Sequence, residues 1–191
     1  MTKIHLCVRN YRDLFIPAGE ANIVGRPTGF VRLTGCPLRC QYCDNEYAFS
    51  GREIIALDDI LAQVKAYAIS NVTVTGGEPL AQPKSIELMQ RLFDDSYSVS
   101  LETSGAMSAE HVPLAVSMVL DLKTPGANEA HRNLWENLQH LTPQDQVEFV
   151  LCGRGDYDWA RMRCDEHDIY TRVADVLFSL SYHEFAPREL A

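Results

Sequence analysis

Cys36, Cys40 and Cys43 share one short run, TGCPLRCQYCDN, with the spacing C-x-x-x-C-x-x-C and Tyr42 directly before the last of them. Three thiolates so spaced can each ligate one iron of a 4Fe-4S cube, and with no fourth Cys nearby one iron is left without a protein ligand. An iron with an open position can take the amino and carboxylate groups of S-adenosylmethionine, after which the cofactor carries the radical chemistry. Two other uses of the same thiols stay open. Zinc needs four Cys or His ligands, and the remaining candidates, Cys7, Cys152, Cys164, His5 and His111, are distant in sequence. A disulfide framework serves chains too small for a core, whereas 191 residues can bury an ordinary one.

The elements around this loop must place it. A 46% hydrophobic composition with no low-complexity tract or linker predicts a single globular domain over residues 1–191. The amino terminus lacks the apolar core of a signal peptide and no apolar run is long enough to cross a bilayer, so a cytoplasmic location is expected. Cys7, Cys152 and Cys164 then read as reduced, buried or inert thiols. A net charge of -9 and a pI near 5.1 argue against nucleic acid as a partner.

Strand-like runs at Phe30 to Leu33, Val72 to Thr75, Val99 to Leu101, Val119 to Leu122, Val147 to Leu151 and Val176 to Leu180 alternate with helical periodicity. That alternation predicts a parallel α/β sheet with crossover helices. Ile60, Leu61, Val64 and Ala68 form one helix face, and Ile86, Met89 and Phe93 another. Thr142 with Pro143, and Ser108 ahead of Ala109 and Glu110, resemble helix starts. Polar residues collect where the strands end: Thr75-Gly76-Gly77-Glu78-Pro79, Glu102-Thr103-Ser104-Gly105, and Asp121 and Lys123 before Thr124-Pro125-Gly126. In parallel α/β barrels the active site forms at the carboxyl ends of the strands, the end from which the cysteine loop also leaves. His131, His140, His167 and His183 read as satisfied surface histidines, and Asp156, Asp158, Asp165, Glu166 and Asp168 as a solvated helix face.

The loop together with GGEP resembles the radical S-adenosylmethionine superfamily. GFVRLTGCPLRCQYCDNEYAF, VTVTGGEPL, VSLETSGA and LDLKTPG, with AHRNLWENL and FVLC, resemble its 7-carboxy-7-deazaguanine synthase family. The resemblance implies a shortened, open relative of the TIM barrel. It implies that Cys36, Cys40 and Cys43 hold the cluster, and that Tyr42, Gly76, Gly77, Glu78, Glu102, Asp121, Leu122, Lys123, Ser179, Leu180 and Ser181 meet the cofactor. Substrate contacts fall by the same resemblance on Pro17, Ala18, Gly19, Glu20, Arg32 and Thr75; a guanidinium at Arg32 suits a carboxylate. The implied reaction contracts the ring of 6-carboxy-5,6,7,8-tetrahydropterin to 7-carboxy-7-deazaguanine with loss of ammonia, in queuosine or deazapurine biosynthesis. A flavodoxin-like donor reduces the cluster, a 5′-deoxyadenosyl radical takes a hydrogen from the pterin, and the cofactor is regenerated. The family's habit is a homodimer.

The chain departs from the family pattern in places. Asn45 stands where the family has a Thr that binds magnesium, and Mg²⁺ demands near-ideal octahedral geometry. Ile16-Pro17-Ala18-Gly19-Glu20 replaces Ser-Leu-Gln-Gly-Glu, and Leu180 replaces a Pro. Pro187 to Ala191 reads as the first turn of a helix, so the family's last helix and strand are expected to be missing, with cluster binding but poor turnover. The alternatives are another small radical enzyme, such as a glycyl-radical activase, or a non-catalytic cluster- or zinc-binding relative.

Overall fold

The computed structural model describes residues 5–8, 16–17, 21–49, 53–181, 185 and 187–190; Ala18, Gly19 and Glu20 lie outside them. The chain divides into two compact units, one of Met1–Pro37, Asn45–Thr103 and His111–Ser117, the other of Leu38–Asp44, Ser104–Glu110 and Met118–Ala191.

The first unit is built on β1 (His5–Val8), β2 (Ile16–Pro17), β3 (Pro27–Leu33), β4 (Glu53–Ala56), β5 (Asn71–Gly76) and β6 (Ser98–Thr103). Their order is β4-β1-β3-β5-β6, with β2 also paired to β3. β3, β5 and β6 run parallel, whereas β1 and β2 are antiparallel to their neighbours. The short antiparallel strands carry too few residues for a periodic signal, which is why the sequence predicts the parallel strands alone. Register places Val31, Val74 and Leu101 in one buried row. It places Phe30 with Thr73 and Ser100, and Arg32 with Thr75, on the opposite face. Parallel strands are usually apolar on both faces, so a face carrying Arg, Thr, Ser and Glu marks a site.

Helix α1 (Leu57–Ala66) buries Ile60, Leu61 and Val64 as its periodicity requires, but Ala68 lies past its end with φ 50°. Helix α2 (Lys84–Asp94) buries Ser85, Leu88, Met89 and Leu92. The predicted Ile86-Met89-Phe93 stripe is thus corrected by a rotation that leaves Phe93 44% exposed. Leu88, Met89 and Leu92 lie on one face within about a turn of each other, and that face is the buried one.

The second unit carries most of β7 (Ser117–Asp121), then β8 (Gln146–Leu151) and β9 (Asp175–Leu180), all parallel. Helix α3 (Arg154–Glu166) and the short α4 (Pro187–Leu190) follow β8 and β9. Leu120, Leu122, Val147, Phe149 and Leu151 pack with Ala160, Cys164 and Ile169 in its core. Burial pushes the Cys164 thiol up to about 11. The opposite strand face again holds polar groups, Asp121 beside Glu148 and Ser179, which donates to Glu148. Asp156 is not solvated: it is 6% exposed in the first turn of α3, and its carboxylate accepts two backbone N–H groups from outside the helix. Neither Ser108 nor Thr142 opens a helix; each hydroxyl accepts from a backbone N–H two residues on, the local bonding that makes these residues turn formers. Among the described residues no helix is long and apolar enough to cross a membrane.

Candidate active site

The cysteine loop leaves β3 through Thr34 and Gly35, and Cys36, Cys40 and Cys43 are half-buried, reduced thiols. The Cys43 N–H donates to the Cys40 carbonyl at 3.2 Å, closing a tight turn between the second and third thiols. The Gly-Gly pair after β5 is anchored to the start of this loop. Gly77 N–H donates to Leu33 O at 2.9 Å and Glu78 N–H to Gly35 O at 2.8 Å. Gly76 has φ 131° and any Cβ there would overlap the Leu33 backbone; a Cβ on Gly77 would lie 2.6 Å from Gly35 O and 3.1 Å from the Cys36 Cβ. Two glycines are therefore required for this main chain to lie against the cysteine loop.

Glu78 is fully buried. Its carboxylate accepts the Leu80 N–H at 2.9 Å and the Thr103 hydroxyl at 2.9 and 3.1 Å. On the polar face of the same unit, Thr75 donates to Glu102 at 2.6 Å, Thr73 and Ser100 share a bond of 2.8 Å, and the Arg32 guanidinium lies 5.2 Å from the Phe30 ring centre. Arg32, Thr75 and Glu102 thus sit near the ends of β3, β5 and β6, from which the cysteine loop, GGEP and ETSG leave.

In the second unit, Lys123 is 7% exposed and ion-pairs with Asp121. Its ammonium also lies 5.7 Å from the centre of the Tyr42 ring. Burial disfavours the ammonium, but the Asp121 carboxylate and the Tyr42 and Cys40 groups outweigh it and hold the Lys123 pKa above its ordinary value. Burial, then the Asp121 charge, raises the Tyr42 phenol against a smaller opposing pull from Lys123. The Tyr42 hydroxyl and Asp121 Oδ1 are buried with no hydrogen-bond partner. Buried polar atoms of native proteins are nearly always satisfied by protein, water or ligand, so these two could take a polar ligand. Ser179 and Leu180 end β9, and Ser181 is buried with its N–H on Leu151 O at 2.9 Å. Cys152, read from the sequence as inert, is half-buried at the end of β8 beside Gly126.

The donor set fits an iron-sulfur cube. Among the described residues no three His, Cys, Asp or Glu converge as ligands of a single metal ion would; a cube does not require this, because each thiolate binds a different iron. Soft thiolates suit iron and sulfide, and the orphaned Tyr42 and Asp121 atoms suit a polar cofactor. Magnesium is different: Asn45 Oδ1 accepts the Tyr47 hydroxyl at 2.5 Å, so an ion there would share that oxygen with the phenol.

Sequence reasoning missed Thr103 as the donor to Glu78, Glu148 as the acceptor of Ser179, and Asp156. For Asp156 no signal existed, since its partners are the backbone N–H groups of Gly126 and Cys152, which lie outside α3.

The profile of the Radical SAM superfamily matches residues 30–148. A 7-carboxy-7-deazaguanine synthase of Koribacter versatilis is 40% identical over 178 residues, 92% of this chain and 77% of that relative. The synthase of Chlorobaculum tepidum is 34% identical over 176 residues, 91% of this chain and 80% of its own. The crystal structure of QueE from Escherichia coli matches with a TM-score of 0.72 and 19% identity, covering 91% of this chain and 83% of that one, a likeness of fold. With its three-thiol loop and strand-end polar residues, the chain belongs to the Radical SAM superfamily, whose members use a 4Fe-4S cluster and S-adenosylmethionine. Within that superfamily it belongs to the 7-carboxy-7-deazaguanine synthase family.

Proposed function

We propose that the protein is a radical S-adenosylmethionine lyase that converts 6-carboxy-5,6,7,8-tetrahydropterin to 7-carboxy-7-deazaguanine with loss of ammonia, a step of queuosine or deazapurine biosynthesis. The observation that carries this reading is 40% identity to a named synthase over 92% of the chain. When bound, the cluster and S-adenosylmethionine supply one-electron chemistry that the side chains cannot perform. Cys36, Cys40 and Cys43 hold the cluster. The backbone at Gly76 and Gly77, with Glu78 held in place by Thr103 and Leu80, receives the amino end of the cofactor. Tyr42 would meet its adenine, and Asp121, Leu122, Lys123, Ser179, Leu180 and Ser181 would contact the rest.

Arg32 offers two parallel N–H groups to the pterin carboxylate, and Thr75 and Glu102 give the same face a hydroxyl and a carboxylate for ring nitrogens. Pro17, Ala18, Gly19 and Glu20 complete the substrate contacts. The chain's own work is to orient the substrate and keep water away from the reacting carbon, for which positioning is the main lever. No step is assigned to magnesium. A flavodoxin-like electron donor, a homodimer and a cytoplasmic location belong to the same proposal.

The test is anaerobic reconstitution with iron and sulfide, electron paramagnetic resonance of the reduced protein with and without S-adenosylmethionine, then incubation with the carboxypterin. A 4Fe-4S signal that changes with the cofactor, followed by deazaguanine formation, supports the reading. A cluster indifferent to the cofactor, or a cofactor-responsive cluster that never acts on the pterin, overturns it.

A further inference from the structure

Asp156 sits in the first turn of α3, far in sequence from the cysteine loop. Its two carboxylate oxygens each accept one backbone N–H at 2.9 Å: Oδ1 that of Gly126, Oδ2 that of Cys152. One buried carboxylate thereby ties the turn after β7 to the end of β8. The Thr124 hydroxyl adds a third tie, to Val150 O at 2.8 Å. Gly126 leaves no slack: a Cβ there would overlap Asp156 Oδ2 and lie 2.8 Å from the Cys152 Cβ.

The same turn carries the cysteine loop on its other side. Ala127 O accepts the Gln41 N–H at 3.2 Å, Glu129 Oε1 accepts the Arg39 N–H at 2.6 Å, and the Asn128 amide donates to Gln41 Oε1 at 3.2 Å. Arg39 and Gln41 flank Cys40, and Gln41 lies two residues before Cys43. A continuous hydrogen-bonded path therefore runs from the α3 carboxylate through residues 124–129 to the backbone on both sides of Cys40.

We infer that Asp156 is a positioning residue for cluster binding, acting through the 124–129 turn to hold the Cys40 to Cys43 segment in the conformation that grips iron. Loops are the mobile parts of a fold, and a metal site is retained in proportion to how well its ligands are held before the metal arrives. Five hydrogen bonds meet on this one turn and fasten it to β8, α3 and the cysteine loop. The carboxylate suits this task because it accepts on both oxygens. An amide in its place would turn an N–H donor toward one of two N–H donors.

The inference rests on the cluster assignment above, and its test separates the two. Asp156→Asn, Gly126→Ala, and a core control, Ile169→Ala, are reconstituted anaerobically beside the unaltered protein. Iron and sulfide content and the rate at which a chelator bleaches the visible absorption are then followed. Ile169 is fully buried in the same unit, so its truncation lowers general stability without touching the turn. The expected result is apoprotein circular dichroism unchanged in Asp156→Asn, with cluster loss about tenfold faster, the scale of one lost bond to a charged acceptor. Gly126→Ala should behave alike, and Ile169→Ala should lose its cluster at the unaltered rate. Cluster content and lability of Asp156→Asn equal to the unaltered protein, or lability that merely follows melting temperature across all three variants, overturns the inference while leaving the cluster in place. An unaltered protein that takes up no cluster overturns both.

Discussion

The Thr103 hydroxyl donates to both oxygens of Glu78, at 2.9 and 3.1 Å, and both residues are buried. A carboxylate at this depth is costly unless donors satisfy it, so Thr103, the last residue of β6, is what allows GGEP to present an acid next to the cysteine loop.

Thr103→Val keeps the shape and removes that donor. Its expected cost is about 2 kcal/mol in urea unfolding, the range for a hydrogen bond to a charged group. S-adenosylmethionine should also bind more weakly to the reconstituted protein, because Glu78 is then less firmly aimed. Unchanged unfolding and binding would mean that the carboxylate is held without the Thr103 hydroxyl.

Lys123 and Asp121 form a second buried arrangement. Lys123→Met leaves the Asp121 charge without its cation. Because Asp121 is 22% exposed, solvent moderates the loss to about 1–3 kcal/mol rather than the larger figure for a fully buried pair. The Lys123 pKa is raised on folding, so its contribution is complete below the ordinary lysine pKa and is lost only as pH rises through the raised value. The stability difference between the variant and the unaltered protein should therefore be constant from neutral pH up to the alkaline range. A difference that shrinks already around neutrality would contradict this pairing.

Cys164 gives the stability a different alkaline limb. Its thiol is raised from 9.0 to about 11 by burial, so the unfolded chain releases this proton above about pH 9 while the folded chain keeps it. Stability then falls between these values by up to about 1.4 kcal/mol per pH unit. Cys164→Ala should show a shallower decline than the unaltered protein when unfolding is compared at neutral pH and at about pH 10.5. Parallel declines in the two proteins would assign the loss to other groups.

Asn45 bears on metal dependence. With its oxygen shared with Tyr47, Asn45 should hold magnesium about fivefold more weakly than it would without the phenol, the scale of one hydrogen bond of about 1 kcal/mol. Tyr47→Phe, which releases the Asn45 oxygen, should raise the response to magnesium. Equal magnesium dependence of the two proteins would show that the phenol does not compete with the ion.

What the sequence determined by itself is whatever depends on close neighbours in the chain. Cys36, Cys40 and Cys43 share one loop, Gly76 and Gly77 share one turn, and the parallel strands from Pro27–Leu33 to Asp175–Leu180 announce themselves as apolar runs. The polar residues leaving those runs were legible for the same reason. Tertiary structure alone decided the long-range pairs: Thr103 meets Glu78 across 25 residues, and Asp156 meets Gly126 across 30. It also decided which helix face is buried, taking Leu88 and Leu92 and leaving Phe93 outside. The physical reason is common to these cases. A ligand or turn motif is defined by spacing along one segment, whereas a buried carboxylate is stable only when another segment brings its donors. Those donors are ordinary Thr hydroxyls and backbone N–H groups that carry no mark of their role in the sequence.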